Sequence, residues 1–251
     1  MIWLIGGTSE SRTVAMALDA AGLPWLVSVV SDRARQLYEG RSGAVHVGAL
    51  SPDAIAHLIQ ANGIRCIVDA SHPFAVDISQ QAIATGLPYL RLERPSPAIA
   101  PSTICLPTWD AVLQENYLTG QRILLTVGVK TLARFVPWLH RGTFWARILP
   151  VEVSIHQAIQ VGFPSDRLIP MTLPVTADQE RDLWRSLSID TVITKSAGQA
   201  GGLDVKQQVA QDLGVRLIVI DRPAIAYPQQ TSVVADIPPW CQQQVGVREM
   251  T

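Results

Sequence analysis

Short apolar runs alternate with amphipathic stretches along most of the chain. The first run, Ile2 to Ile5, is apolar throughout and ends at Gly6-Gly7, which predicts a central strand of a parallel sheet covered on both faces. Apolar residues then recur at helical spacing, and Ser9 is the predicted N-cap of that helix. The same reasoning predicts four further strands in the first hundred residues, at 25–30, 44–47, 66–68 and 89–92. Helices between these strands make this an α/β region with right-handed crossovers.

A stretch with four prolines, Pro95 to Pro107, has no clear periodicity and is the predicted linker between two domains. Beyond it the alternation resumes, with strands predicted at 123–127, 144–149, 192–194 and 217–220 and helices at 130–139, 177–187 and 204–213. We therefore predict an α/β fold of two Rossmann-like halves with mostly parallel sheets and a cleft between them. The predicted domains are an N-terminal nucleotide-binding domain at 1–98 and a C-terminal α/β domain with an irregular tail at 99–251.

Charge and cysteine content narrow the possible functions. The chain has 20 basic and 21 acidic residues, so no overall field draws it to nucleic acid or to an anionic membrane, and an anion-binding site has to be local. The three cysteines are widely spaced and odd in number, which fits neither a disulfide framework nor a zinc site. The opening apolar run is too short for a signal peptide or a membrane span. We expect a cytoplasmic enzyme or binding protein without a metal, whose oligomeric state the sequence leaves open.

The first candidate site is the turn that follows the first strand. In an open α/β sheet, ligands collect outside the carboxyl ends of the strands, where helix N-termini offer unpaired N–H groups to anions. Gly6 and Gly7 let the backbone approach a phosphate closely, and Thr8 and Ser9 offer hydroxyl groups. Only Gly6 matches the dinucleotide fingerprint G-x-G-x-x-G, so a purely structural turn remains the alternative.

The second candidate site follows the second strand, where dinucleotide folds recognise the adenosine ribose. Asp32 could accept a hydrogen bond from the ribose 2′-hydroxyl of NAD, whereas Ser31, Arg33 and Arg35 could bind the 2′-phosphate of NADP. Two arginines against one aspartate favour NADPH, with NADH as the other possibility. The alternative is a solvated loop whose charges satisfy one another.

The third candidate site is the segment from Asp69 to Phe74, at the end of the fourth strand. His72 is the candidate catalytic residue there, and Ser71 is a candidate cofactor ligand. The alternative for His72 is a histidine satisfied within the fold. The segment contains no neighbouring cysteine or second histidine at metal-binding spacing.

Basic residues at other strand ends are candidate ligands for an anionic substrate. Arg91 and Arg94 end the fifth strand and could clamp a polyanionic substrate bidentately, and the alternative is that Glu93 pairs with one of them. In the second half, Lys130, Lys195 and Ser196 occupy turns of the same kind. Taken one at a time, each lysine is more typical of surface charge.

Several enzyme classes lack their machinery in this sequence. G-x-S-x-G, the Walker lysine motif and HExxH are absent, which argues against hydrolases and metal enzymes of those types. A short-chain reductase would need a Tyr-x-x-x-Lys pair, and none of the four tyrosines has lysine four residues later.

Four segments in this order resemble one family, the precorrin-6A and cobalt-precorrin-6A reductases of corrin biosynthesis. These segments are Ile5–Arg12, Val68–Ala75, Leu90–Pro95 and Val192–Gly198, and the similarity extends from residue 2 to about Pro223. The resemblance implies a two-domain reductase that binds a nicotinamide cofactor and transfers a hydride to one double bond of the ring-contracted macrocycle in cobalamin biosynthesis. With the preference for NADPH given above, we predict NADPH as the hydride donor.

The implied substrate is a carboxylate-rich corrinoid precursor. A protein with almost no net charge then needs local cations, which Arg91, Arg94, Lys130 and Lys195 could supply. His72 is the nearest candidate for donating the proton that the macrocycle must gain, although solvent could also serve. Whether the macrocycle already carries cobalt stays open. A non-catalytic NADP(H)-binding redox sensor is the alternative function.

Overall fold

The computed structural model describes residues 1–95, 98–198 and 201–246. The chain divides into two compact units: Met1–Pro95 with Ala224–Thr251 form the first, and Ser96–Pro223 form the second. Residues 96 and 97 of the predicted linker and 247–251 of the predicted tail lie outside the described residues. No helix in the described part of the chain is long and apolar enough to cross a membrane.

The described residues form twelve strands and ten α-helices. The strands are β1 Ile2–Ile5, β2 Trp25–Val29, β3 Ala44–Val47, β4 Cys66–Asp69, β5 Tyr89–Leu92, β6 Ile104–Leu106, β7 Arg122–Thr126, β8 Thr143–Ile148, β9 Leu168–Pro170, β10 Thr191–Lys195, β11 Arg216–Ile220 and β12 Gln230–Thr231. The helices are α1 Ser9–Ala20, α2 Asp32–Arg35, α3 Pro52–Asn62, α4 Val76–Ala84, α5 Trp109–Val112, α6 Glu115–Leu118, α7 Glu152–Gln160, α8 Ala177–Ser186, α9 Leu203–Leu213 and α10 Ile237–Gly246.

The first unit is built on a six-stranded parallel sheet in the order β3-β2-β1-β4-β5-β12. This is the Rossmann order, in which the direction of progression reverses between β1 and β4. Successive residues of β1 enter two different cores: Ile2 and Leu4 lie in the cluster that includes residues of α1 and α10, and Trp3 lies in the cluster that includes residues of α3 and α4. Burial on both faces explains why the run is apolar at every position.

The second unit repeats this architecture with the order β9-β8-β7-β10-β11-β6, again with parallel pairs. Its core includes Leu124, Val192 and Leu217 from three neighbouring strands, with Trp184 of α8 and Leu203 of α9. Two parallel six-stranded sheets with flanking helices confirm the predicted α/β fold of two Rossmann-like halves.

Two elements of the second half differ from the prediction. Strand β6 lies within the predicted linker and pairs with β11, because the prolines flank this strand rather than interrupt it. The helix predicted at 130–139 is instead two 3₁₀ segments, Val129–Arg134 and Val136–Trp138. Pro137 has no N–H to donate to a preceding turn, so a continuous α-helix does not form across it.

The sixth strand of each sheet comes from an unexpected part of the chain. Strand β6 follows β5 in sequence but completes the second sheet, and β12 follows β11 but completes the first. The backbone N–H groups of Arg91 and Glu93 donate to the carbonyls of Gln229 and Thr231, at 2.9 and 2.8 Å. The predicted domain 99–251 placed this tail in the second half, whereas β12 and α10 belong to the first unit.

Candidate active site

The turn between β1 and α1 is fixed by a capping box. Thr8, rather than the predicted Ser9, is the N-cap: its Oγ1 accepts from the Ser11 N–H at 3.1 Å, and the Ser11 hydroxyl oxygen accepts from the Thr8 N–H at 2.9 Å. The Thr8 hydroxyl donates to the carbonyl of Ala70 at 2.8 Å. The proton of this hydroxyl is thus engaged by a backbone carbonyl, and the role of Thr8 as a phosphate ligand stays a prediction. Ser9 is exposed at the first position of the helix.

The two glycines of this turn serve different purposes. A side chain on Gly6 would place its Cβ 2.3 Å from the Tyr38 hydroxyl oxygen and 2.6 Å from Val27, so this position needs glycine for space. Gly7 needs glycine for its backbone, with φ +98°, and its N–H donates to the Tyr38 hydroxyl at 2.9 Å. A Cβ on Gly7 would lie 3.8 Å from that of Ala34, so the segment after β2 adjoins the glycine turn.

An ion pair between Arg94 and Glu10 compensates the charge of Glu10, which would otherwise repel a phosphate at this turn. Glu10, in the first turn of α1, would repel a phosphate if its charge stood alone. An Nη2 of Arg94 lies 3.0 Å from its Oε2, and the Arg94 side chain is 9% exposed. Arg94, predicted as a substrate ligand, thus lies beside the candidate phosphate site in the first unit.

The segment after β2 presents its charges to solvent. Ser31 caps α2 by accepting from the Ala34 N–H at 3.3 Å, while its hydroxyl proton can donate outward. Arg33 and Arg35 are exposed, and neither forms an ion pair with any residue that the structure describes. Asp32, which would suit NAD, is also exposed on the same short helix. Two cations next to a turn adjoining α1 suit an anion such as a 2′-phosphate.

A buried polar network anchors the segment after β4. The Asp69 carboxylate accepts from the Ser71 N–H and from an Nη1 of Arg91, both at 2.9 Å, and from the Ser79 hydroxyl at 2.6 Å. It also accepts from the Tyr89 hydroxyl, whose pKa is raised by burial and by this carboxylate, so Tyr89 keeps its proton as the donor. Asp69 and Arg91 are paired across β4 and β5, which places their side chains together.

Two of the predicted ligands, Arg91 and Ser71, belong to this buried network. The Arg91 side chain is 1% exposed and is held by Asp69 and by Glu93, so the prediction that it clamps substrate is wrong. Ser71 is also buried, and its hydroxyl accepts from Arg91 at 3.2 Å. Arg91 therefore holds the strand-end segment in place, whereas the role of Ser71 as a cofactor ligand stays a prediction.

His72 is half-buried at the carboxyl end of β4. Its Nδ1 accepts from the Phe74 N–H at 3.1 Å, and the two rings lie 5.9 Å apart. A ring nitrogen that accepts carries no proton, so the neutral imidazole has its N–H at Nε2. This hydrogen-bond pattern makes Nε2 the donor atom of the ring.

The second unit gathers its predicted residues at the ends of β7 and β10. Lys195 ends β10, and its Nζ lies 3.7 Å from the position that a Cβ on Gly128 would occupy. Burial lowers the pKa of Lys195 to about 8. Lys130 is exposed in the segment that follows Gly128, whereas Ser196 is buried and its carbonyl accepts from Arg222 Nε at 2.9 Å.

Sequence reasoning missed Tyr38 and the structural role of Asp69. Tyr38 is the one Phe, Trp or Tyr between Trp25 and Phe74, and an aromatic residue in so polar a stretch was the available signal. The Asp69 role depends on its cross-strand partner Arg91, 22 residues away, and no local pattern reveals that pairing.

Comparison with known proteins shows which family the chain matches. The profile described as precorrin-6x reductase CbiJ/CobK matches residues 1–242. The chain belongs to this family. It is 41% identical to the cobalt-precorrin-6A reductase of Synechocystis sp. over 97% of both chains. Identity is 32% with the cobalt-precorrin-6A reductase of Priestia megaterium, covering 90% of this chain and 92% of the relative. With the precorrin-6A reductase of Rhodococcus erythropolis it is 30%, covering 94% of each.

A solved structure described as CobK precorrin-6A reductase has the same fold, with a TM-score of 0.75 at 22% identity over 97% of this chain and 96% of that one. The family resemblance and the fold are thereby confirmed. As a member of the precorrin-6x reductase family, the protein is an oxidoreductase of cobalamin biosynthesis that acts on a CH–CH bond and uses a nicotinamide cofactor, as predicted. The alternative of a non-catalytic redox sensor finds no support among these relatives.

Proposed function

We propose that this protein reduces cobalt-precorrin-6A with NADPH. The observation that carries the proposal is the family match over residues 1–242, together with two exposed arginines beside a glycine turn of Rossmann type. The cobalt form is proposed because the relatives at 41% and 32% identity are named for it. Relatives named for the cobalt-free substrate are 30% and 28% identical.

The residues of the first unit fit a dinucleotide. Ser9 and Glu10 lie in the first turn of α1, where backbone N–H groups have no helical acceptor and can donate to phosphate oxygens. Gly7 adds no side chain in their way, and Arg94 balances the charge of Glu10. The exposed segment 31–35 supplies Ser31, Arg33 and Arg35 for a 2′-phosphate.

The two arginines Arg33 and Arg35 are the reason to propose that the site prefers NADPH to NADH. The 2′-phosphate adds negative charge that the ribose hydroxyl of NADH lacks, and guanidinium groups bind phosphate with bidentate geometry. Asp32 lies on the same helix but is outnumbered two to one by the arginines. When bound, the nicotinamide supplies the hydride, and the protein supplies position and exclusion of water.

The substrate needs cations and a proton. Lys130 and Lys195, at the ends of neighbouring strands of the second sheet, are the proposed partners of its carboxylates. His72 is the proposed proton donor through Nε2, since Nδ1 is occupied by the Phe74 N–H. Ser196 is buried in the same turn as Lys195 and holds that turn to β11 through its N–H, which donates to the Ile220 carbonyl at 2.8 Å.

The test is substrate-dependent oxidation of NADPH by the purified protein. Loss of NADPH absorbance is measured with cobalt-precorrin-6A, with precorrin-6A and without tetrapyrrole. We expect turnover that requires a tetrapyrrole, with the higher kcat/KM for the cobalt form. Higher kcat/KM for precorrin-6A would reassign the substrate, and binding of NADPH without turnover of either tetrapyrrole would contradict the proposed reaction.

A further inference from the structure

Tyr38 places a hydroxyl group beneath the glycine turn. It ends the 3₁₀ segment Gln36–Tyr38, which directly follows α2, and the residue is 3% exposed. Its ring packs against that of Trp25, with centroids 6.3 Å apart. Ring packing would be served equally by phenylalanine, so the hydroxyl requires its own explanation. Burial raises the pKa of Tyr38, and the group therefore keeps its proton at neutral pH.

Counting protons fixes the direction of each hydrogen bond around this hydroxyl. The Ser11 hydroxyl donates to the Thr8 carbonyl at 2.7 Å, which uses its single proton. In the 2.6 Å contact between the two hydroxyl groups, Tyr38 is therefore the donor and Ser11 the acceptor. Tyr38 in turn accepts the Gly7 N–H at 2.9 Å.

The amide groups of the turn are consequently divided into two sets. The N–H groups of Gly7 and Thr8 are bound by the hydroxyls of Tyr38 and Ser11. A phosphate is left with the N–H groups at the start of α1, beginning with Ser9. The turn is thus held in its shape before any ligand arrives, and preorganisation of this kind strengthens binding by lowering its entropic cost.

The same residue ends the segment that carries the two candidate 2′-phosphate ligands. Tyr38 is the third residue after Arg35, and this part of the backbone is continuously helical. The anchoring of Tyr38 beneath Gly6 and Gly7 therefore limits where the arginines can lie relative to the turn. The absence of a side chain at Gly6 leaves the space that the tyrosine hydroxyl fills.

We propose that Tyr38 is a positioning residue that couples the phosphate turn to the 2′-phosphate segment of the cofactor site. The proposal rests on the function proposed above, in which NADPH binds at this turn. It predicts that loss of the hydroxyl weakens NADPH binding and also makes the arginines less effective.

The test is a double-mutant cycle on cofactor affinity in the full chain. The Kd values of NADPH and NADH are measured by fluorescence titration for wild type, Tyr38→Phe, Arg35→Ala and the double variant. We expect Tyr38→Phe to raise the Kd of NADPH roughly tenfold, the size of one lost hydrogen bond to a buried amide. Arg35→Ala should also raise the Kd of NADPH in both backgrounds. We expect the factor of this increase to be about threefold smaller, or less still, in the Tyr38→Phe background than in wild type.

Controls separate a positioning role from a general loss of structure. Tyr117→Phe alters a half-buried tyrosine of the second unit and should leave both Kd values unchanged. Ser11→Ala removes the acceptor of the Tyr38 proton together with the partner of the Thr8 N–H, so it is measured alone and with Arg35→Ala, and we expect the losses of NADPH affinity to be non-additive. This second variant keeps the test decisive if Tyr38→Phe does not fold.

The outcomes are distinct. Unchanged NADPH affinity in Tyr38→Phe, or additive effects of the two substitutions, would overturn the role of Tyr38 while leaving the proposed reaction intact. Wild-type protein that binds neither dinucleotide would overturn the cofactor assignment and the role of Tyr38 with it. Weakened binding that is non-additive with Arg35→Ala supports the coupling.

Discussion

At the scale of single residues, Asp69 is a carboxylate whose partners are all within the protein. Its side chain is 0% exposed and that of Arg91 1%. Loss of the Asp69 charge leaves the buried Arg91 with Glu93 as its remaining ion-pair partner among the described residues. We expect Asp69→Asn to lower the free energy of unfolding by about 3 kcal/mol in urea titrations.

An exposed ion pair provides the matched comparison for Asp69. Asp110 pairs with Arg134 at 3.1 Å, with side chains 83% and 50% exposed. We expect Asp110→Asn to change the free energy of unfolding by less than about 1 kcal/mol. Equal losses in the two variants would contradict the importance given to burial.

Lys195 differs from an ordinary surface lysine in its titration. Burial lowers its pKa from 10.5 to about 8, so the ammonium loses its proton as the pH rises through 8. If this charge binds substrate carboxylates, kcat/KM for the tetrapyrrole should fall above pH 8. Lys195→Arg should remove that decline, because a guanidinium stays protonated throughout. An unchanged pH profile in the variant would exclude Lys195 as the titrating group.

His72 can be tested without disturbing its turn. Asparagine offers an oxygen near the position of Nδ1 to accept from Phe74, but nothing at the position of Nε2. We expect His72→Asn to lower kcat roughly 100-fold, as for loss of a general acid, without changing the Kd of NADPH. A nearly normal kcat would show that solvent donates the proton.

At the scale of elements, the N-terminus of α1 depends on a neighbouring strand end for its charge balance. Arg94 follows β5 and compensates Glu10 in the first turn of the helix. We expect Arg94→Ala to raise the Kd of NADPH about fivefold, because the carboxylate then repels the phosphates. Adding Glu10→Gln should restore the affinity.

The same variant discriminates between two roles for Arg94. If the arginine binds substrate, as the sequence predicts, Arg94→Ala raises the KM of the tetrapyrrole and leaves the Kd of NADPH unchanged. That result would contradict the ion-pair explanation. Titrations of NADPH without substrate and steady-state kinetics with it measure the two quantities separately.

Buried strands were easier to predict from the sequence than short strands at the sheet edges. The strands β1 and β5, which are buried at every position, begin and end at the predicted residues. Edge strands such as β9 and β12 have three and two residues, too few to show any period. The sequence predicts Ser9 as the N-cap, whereas the structure has Thr8. Both residue types suit this position, and the hydrogen bonds with Ser11 decide between them.

Candidate site residues could be predicted from the sequence only where they lie in one short segment next to a strand. The glycine turn, segment 31–35 and His72 became candidates because each lies directly after an apolar strand. Arg91 was misassigned because it looks like an exposed basic residue until Asp69 is placed beside it by parallel pairing. Tyr38 contributes through a bond to Gly7, 31 residues away.

At the scale of the whole molecule, the C-terminal segment is part of the first unit. Helix α10 packs on β4, and Cys66 at the start of this strand and Cys241 of α10 lie buried in the same hydrophobic cluster. A chain that ends at Pro223 lacks this cover. We expect Cys66 to react with a thiol reagent in the truncated protein and to resist it in the full chain.

Exposed Cys105 of the second unit is the internal control for that experiment. It should react quickly in both proteins, so that the number of fast-reacting thiols rises from one to two on truncation. A protected Cys66 in the truncated chain would show that something other than α10 shields it.

The exchange of the sixth strands also has a consequence for synthesis on the ribosome. The second unit ends at Pro223, but the first cannot close its sheet until β12 at residues 230–231 has emerged. At about 5–20 residues per second, the N-terminal half waits on the order of ten seconds for its last strand. During that time the Arg91 and Glu93 amides at the edge of β5 lack the acceptors that they later bind. The half of the chain that is made first is therefore the last to be completed, and nascent chains would be most exposed to mispairing along β5.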